Sequence, residues 1–282
     1  MNARRVSILM TGLLAGLAAC AAAGALFAAA KETLTVQGST TVGPIADAFA
    51  EAFMRKNPDL AITVTKTGSG DGAKALVDGQ CDVAAMSRFM KDKEYKAAIE
   101  KGFLPVAHVV AMDGVCVVVH PSNPVSELTT EQIKAVYMGK ITNWKDLGGA
   151  DQKIVPISRD TSSGTYEVMN ELVMGGDKMD PGVEYVTSNP DKHKRVSTTP
   201  AAIGYVGLGF VDEKVKALKV NGIVPNRRTI ASGEYPIARP LFLWTRNFPE
   251  LGSTIHRFVT FHLSEEGQEI VEAKGFVPVT NY

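Results

Sequence analysis

Apolar and polar positions over residues 33–112 switch period repeatedly, from the alternation of a strand to the spacing of a helix and back. Leu34-Thr35-Val36 reads as a strand. After it, Ile45, Ala48, Phe49, Ala52 and Phe53 fall on one face of a helix over Gly43–Lys56, which Asn57-Pro58-Asp59 stops. The same pattern predicts a strand at Ala61–Thr65, a short helix over 71–79 and a buried strand at Cys81–Met86. A helix over Asp92–Lys101 and a longer apolar strand at Leu104–Met112 follow. A second unit opens at Gly114, with strands at Val115–His120, Ile154–Ile157 and Ala201–Leu208 and a helix at Thr129–Met138 capped by Thr129. Met174–Lys194 is so rich in Gly, Pro, Asp and Asn that loop is expected there. The chain then returns to the first unit through a strong strand at Pro240–Thr245 and helices at Gly252–Leu263 and Ser264–Ala273.

Alternating strands and helices imply an α/β fold, each lobe a mostly parallel sheet flanked by helices. A chain of 282 residues suits two lobes. The pattern divides it into residues 31–115 with 237–282 and residues 116–236, joined by two crossovers near 113–116 and 236–240. Ligands of such folds sit in the crevice at the carboxyl ends of strands.

Three turns at those ends share one chemistry. Gly38-Ser39-Thr40-Thr41, Gly68-Ser69-Gly70-Asp71-Gly72 and Arg159-Asp160-Thr161-Ser162-Ser163-Gly164-Thr165 each follow a strand and open a helix. Such a turn presents unpaired N–H groups and the positive end of the helix dipole. One alone is as readily a plain N-cap. Three around one crevice point to an anion gripped from several sides, with Arg159 adding a planar charged fork.

Charge changes the picture by being balanced. The 30 basic and 30 acidic residues form no basic stripe interleaved with aromatics, which excludes nucleic acid as partner and makes any positive field local. Arg4 and Arg5 are the only charges before Lys31, and Val6 to Ala30 is long enough to span a membrane. Small residues at Ala28-Ala29-Ala30 favour a cleaved export signal over 1–30 and a periplasmic protein. Leu17-Ala18-Ala19-Cys20 resembles a lipobox, so a lipid anchor through Cys20 is the second reading. Cys81 and Cys116 match no metal spacing; pairing and buried thiols both stay open. No nucleophile elbow, zinc-protease motif or phosphate-loop lysine occurs, and His108, His120, His193, His256 and His262 all lie outside the three turns. Binding is expected, rather than catalysis, with no cofactor or metal.

Further stretches occur in a telling order: Ser87-Arg88, Gly139-Lys140-Ile141-Thr142-Asn143-Trp144 and Ala202-Ile203-Gly204-Tyr205-Val206. Together with the three turns they resemble the phosphate-binding proteins that serve bacterial phosphate ABC importers, over residues 33–282. The resemblance implies a two-lobed periplasmic-binding-protein fold of the second class that closes on one dehydrated inorganic phosphate. It also implies a monomer that delivers phosphate to ABC transporter permease subunits in the inner membrane. Thr40, Thr41, Ser69, Arg159, Ser163, Gly164 and Thr165 would contact the ligand, with Ser39 and Ser87 beside them. One position departs from the best-known branch, which has an acid after the serine that ends the third strand; here Arg88 stands there, expected beside Arg159 as a phosphate-binding residue with a salt bridge as its other reading. That acid accepts the phosphate proton, so another acceptor is needed if phosphate is to be told from sulfate or tungstate. Asp71 is preferred over Asp160, because glycines on both sides let the backbone approach the ligand.

Overall fold

A computed structural model describes residues 32–280, so the export signal expected over 1–30 and the lipid anchor considered at Cys20 lie outside the described residues. The chain opens with strand β1 (Glu32–Gly38), helix α1 (Gly43–Lys56), β2 (Leu60–Lys66), α2 (Ser69–Asp78), β3 (Val83–Met86) and α3 (Asp92–Glu100). β1 pairs in parallel with β2 and β3, as a βαβ unit requires.

Strand β4 (Pro105–Val119) is the spine of the molecule. Two strands are expected here and one is found, because Gly114 does not break it. Its missing side chain makes room instead: a Cβ there would stand 2.6 Å from Ile230 Cδ1. The first half of β4 pairs antiparallel with β11 (below) and Val115–Val119 pairs with β8, so one strand runs from one half of the sheet into the other.

The second lobe continues with β5 (Glu127–Leu128), α4 (Thr130–Tyr137), β6 (Val155–Arg159), α5 (Gly164–Met169), β7 (Glu184–Val186), α6 (Asn189–Ser197) and β8 (Ala202–Gly207). Two short strands, β9 (Lys216–Ala217) and β10 (Lys219–Val220), and helix α7 (Arg227–Ala231) complete it. Thr129 caps α4 as expected, accepting from the Gln132 amide in a capping box. The segment expected to be loop holds β7 and α6. Its Ser188-Asn189-Pro190-Asp191 run is an N-cap with proline in the first turn, a helix-start chemistry that the loop-like composition hides.

Finally β11 (Ala238–Arg246) crosses back beside β4, and helices α8 (Thr254–Val259) and α9 (Glu265–Ala273) pack on α1. The sheet runs β2-β1-β3-β11-β4-β8-β6-β7, parallel toward both edges and antiparallel at the centre, where the two crossover strands must run opposite ways. Edge-to-face contacts of Phe49 with Phe261 (5.3 Å) and Phe53 with Phe258 (5.8 Å) tie the C-terminal helices to the first lobe. Burying Phe49, Phe53 and Phe258 contributes about 1.5–3 kcal/mol each, and the partly buried Phe261 less. The second lobe has its own core around Trp144, whose indole N–H donates to the Ala201 carbonyl at 2.9 Å. Trp144 of the Gly-Lys-Ile-Thr-Asn-Trp motif is therefore a core residue.

Cys81 and Cys116 are both free and buried, in separate clusters: Cys81 beside Leu76 and Met86, Cys116 beside Val118 and Ile157. Burial pushes the Cys81 thiol up to about 12 and raises that of Cys116 as well, so neither holds a reactive thiolate. In the chain lacking residues 1–30, a thiol reagent should therefore label neither cysteine under native conditions and both in denaturant. Rapid native labelling of either would contradict this burial.

Candidate functional site

Two residues that face each other across the crossover strands build the floor of the crevice. Asp113 of β4 and Arg239 of β11 are register partners, both buried, and the Arg239 Nε and Nη2 groups donate to Asp113 Oδ2 at 3.0 and 2.8 Å. The Leu208 amide donates to Asp113 Oδ1 at 2.8 Å. Burial pushes the Asp113 carboxyl up, and the Arg239 guanidinium pulls against that shift. Arg239 also donates to the Ser87 carbonyl (3.1 Å), to Thr41 Oγ1 (3.3 Å) and to Thr165 Oγ1 (3.1 Å), so one guanidinium touches both lobes.

Above it lies a buried cluster of hydroxyls. Thr40 and Thr41 come from the turn between β1 and α1, Thr165 from the first turn of α5. Thr41 and Thr165 share a hydrogen bond of 3.0 Å across the crevice. Arg159, at the carboxyl end of β6, donates through Nη1 to Thr40 Oγ1 at 3.0 Å. Its Nε and Nη2 groups are buried and make no hydrogen bond. Asp160 stands 4.0 Å from Nε and half in solvent, a weak counter-charge, and burial lowers the arginine's pKa. Asn189, the first residue of α6, donates from Nδ2 to Thr41 Oγ1 (2.7 Å) and Thr40 Oγ1 (3.3 Å).

Lys192, one turn further along α6, is fully buried with Nζ 3.2 Å from the centre of the Tyr205 ring and no hydrogen-bond partner. Desolvation first, then Arg159 and Arg239, hold its pKa well below the usual lysine range. A dry site with unpaired donors and more guanidinium than carboxylate has one obvious complement, an oxyanion.

The sequence matches the PBP superfamily domain over residues 24–266. The phosphate-binding protein PstS of Bacillus subtilis (strain 168) is 35% identical over 254 residues, covering 89% of this chain and 82% of the relative. This chain belongs to the phosphate-binding proteins of the PBP superfamily. Protein SphX of Synechococcus elongatus is 32% identical over 89% of this chain and 79% of its own. Among solved structures, a Clostridium perfringens protein described as a phosphate ABC transporter substrate-binding protein with bound phosphate superposes with a TM-score of 0.81. It is 34% identical, over 88% of this chain and all of that one. An ABC-type phosphate transport receptor from Vibrio cholerae gives 0.72 at 32% identity, over 86% of this chain and 99% of its own.

The fold gathers most of the residues expected at the site. Thr40, Thr41, Arg159 and Thr165 are bonded together, as above. Ser39 Oγ turns back to accept from the Thr41 and Val42 amides at 3.1 and 3.3 Å. Ser69 accepts from the Ser87 amide at 3.0 Å, and the two hydroxyls stand 3.3 Å apart. Gly164 of the opposite lobe presses against both; a Cβ there would lie 2.4 Å from Ser69 Oγ and 2.6 Å from Ser87 Oγ. Ser163 caps α5 by accepting from the Tyr166 amide. Two expectations need correcting. Asp71 is exposed: α2 begins at Ser69, which turns Asp71 outward with Lys74 and Asp78 while Gly72, Ala73 and Leu76 face in. Arg88 spends both terminal nitrogens elsewhere, on Glu94 (2.8 Å each) and the Phe89 carbonyl (2.8 Å), so it is a buried residue held in an ion pair.

Asp113, Asn189, Lys192 and Arg239 were not foreseen. A signal existed for the ion pair, since each crossover carries one charge between apolar residues, Met112-Asp113-Gly114-Val115 and Ile237-Ala238-Arg239-Pro240-Leu241. Removing the carboxylate alone leaves a buried guanidinium without its partner. Asp113→Asn should therefore cost about 3–5 kcal/mol in denaturant unfolding. A loss below about 1 kcal/mol would mean that Arg239 finds compensation elsewhere.

Proposed function

We propose that this chain is an extracytoplasmic solute-binding protein that encloses one inorganic phosphate between its lobes and hands it to an ABC importer. The observation that carries this reading is the buried Arg159 guanidinium, with two unpaired nitrogens among threonine hydroxyls of both lobes. A doubly charged tetrahedral anion stripped of water needs many donors, and neutral hydroxyls and amides spread its charge while arginine supplies the charge-assisted bonds. The names of the relatives point the same way.

Residues 31–115 with 237–282 form one lobe in this reading and 116–236 the other, and they close by rotation about β4 and β11. Lys91 bonds Glu167 across the crevice at 2.6 Å, a half-exposed ion pair that adds at most about 1 kcal/mol to closure. The chain acts as a monomer that docks on permease subunits, in the periplasm after loss of residues 1–30 or tethered through Cys20. No helix among the described residues is long and apolar enough to cross a membrane. Binding without turnover fits a cluster whose hydroxyls bond threonine, asparagine and arginine, with no histidine beside them to act as base. Sulfate or tungstate is the second reading, favoured by one observation: among the described residues, Asp113 is tied to Arg239, Asp71 faces solvent and Asp160 is half-exposed and bonded to Ser162, so none of these carboxylates lies unengaged inside the buried cluster.

Calorimetric titration should show one phosphate per chain. Phosphate at 100 times its Kd should raise stability by about 2.7 kcal/mol. No thermal shift at saturating phosphate would refute the reading. Within the site, Arg159→Ala should weaken binding on the order of a hundredfold or more, since charged hydrogen bonds contribute about 1.5–3 kcal/mol each. Ser163→Ala should cost about tenfold or less, the size of one neutral bond. Equal losses would remove Arg159 from direct contact with the anion.

A further inference from the structure

At neutral pH inorganic phosphate keeps at least one proton on oxygen and sulfate keeps none. A shell made only of donors accepts both ions, so a site that prefers phosphate must aim an acceptor at the proton. Resting on the reading above, the question is which atom that is. The nearby carboxylates are tied up or turned toward solvent. Both oxygens of Asp113 are engaged, by Arg239 and by the Leu208 amide. Asp160 Oδ1 accepts from the Ser162 amide at 2.8 Å and from the Ser162 hydroxyl at 2.5 Å, while Oδ2, 4.0 Å from Arg159 Nε, belongs to a side chain 41% exposed and so lies outside the dry cluster. Glu94 is held by Arg88, and Asp71 faces solvent.

Asn189 is different. Its side chain is fully buried, yet Oδ1 makes no hydrogen bond. Among the described residues, the other buried side-chain atoms left unpaired are nitrogens of Arg88, Arg159, Lys192 and Trp244 and the Thr67 hydroxyl, all of which can donate. The amide is not free to wander: Nδ2 is fixed on Thr40 and Thr41 of the opposite lobe, and α6 holds the backbone, capped by Ser188. Thr40 Oγ1 also receives Arg159 Nη1 at 3.0 Å, so amide and guanidinium meet on one hydroxyl. The unpaired acceptor thus belongs to the same dry cluster as the unpaired donors. An orphaned carbonyl in such a place is costly unless a ligand completes it.

We propose that Asn189 Oδ1 accepts a hydrogen bond from the protonated oxygen of bound phosphate and thereby sets the preference for phosphate over sulfate. Toward sulfate the same carbonyl meets only lone pairs, and the contact repels.

The test is calorimetric titration of wild type, Asn189→Leu and Asn189→Asp with phosphate and with sulfate at neutral pH. Leucine keeps the volume and removes the acceptor; the ratio of phosphate to sulfate affinity should fall about tenfold or more. Aspartate keeps an acceptor, and the preference should survive. A merely structural asparagine would weaken both anions alike, so an unchanged ratio in Asn189→Leu overturns the proposal. If the leucine variant does not fold, Asn189→Ala, which also removes the acceptor, decides by the same ratio: a fallen ratio supports the assignment and an unchanged one overturns it. A wild type that binds both anions equally well refutes the proton-reading role while leaving oxyanion binding standing. A wild type that binds no phosphate refutes the functional reading itself.

Discussion

The molecule depends on a pair of opposite charges buried where its two connecting strands cross. Asp113 and Arg239 face each other in the register of β4 and β11, out of reach of water. Neither is tolerable there alone, because an unpaired charge in a dry interior costs several kcal/mol. The pair does more than neutralise itself. The remaining N–H groups of Arg239 reach Ser87 and Thr41 on one side and Thr165 on the other, so the same guanidinium that satisfies the strands also aligns the hydroxyls of both lobes.

Around that pair the site is deliberately unbalanced. Arg159 lacks a close carboxylate, and Lys192 rests against an aromatic face with its hydrogens unspent. The whole chain carries as many acids as bases, so this surplus is a local property of the buried cluster. Low dielectric strengthens each charge-assisted bond made there and makes each unmade one expensive. An anion that satisfies the donors is bound; one that leaves them short is not.

Much of this was legible in the chain. The strand ends that carry Thr40, Thr41 and Arg159 follow from periodicity, and the turns announce themselves by their Gly, Ser and Thr content. Legibility failed where a two-residue shift or a long loop closure decided the outcome. Helix α2 starts at Ser69, which sends Asp71 to solvent, and no local pattern distinguishes that start from one two residues later. Asn189 was hidden in a stretch whose composition reads as loop, although Ser188 and Pro190 spell a helix start. Asp113 and Arg239 lie 126 residues apart, and only the assembled sheet makes them neighbours.

The sheet order has a mechanical consequence. Both connections between the lobes are adjacent, hydrogen-bonded strands of a single sheet, and the clamp between them sits at the passage from one lobe to the other. Two separate linkers would allow the halves to twist, slide and splay independently. Two strands laddered together bend as one ribbon, with a single soft direction perpendicular to the pleat. Lobes that close about this ribbon would be confined to one swing coordinate, and a second molecule resting on both rims would read an occupied crevice from one angle alone.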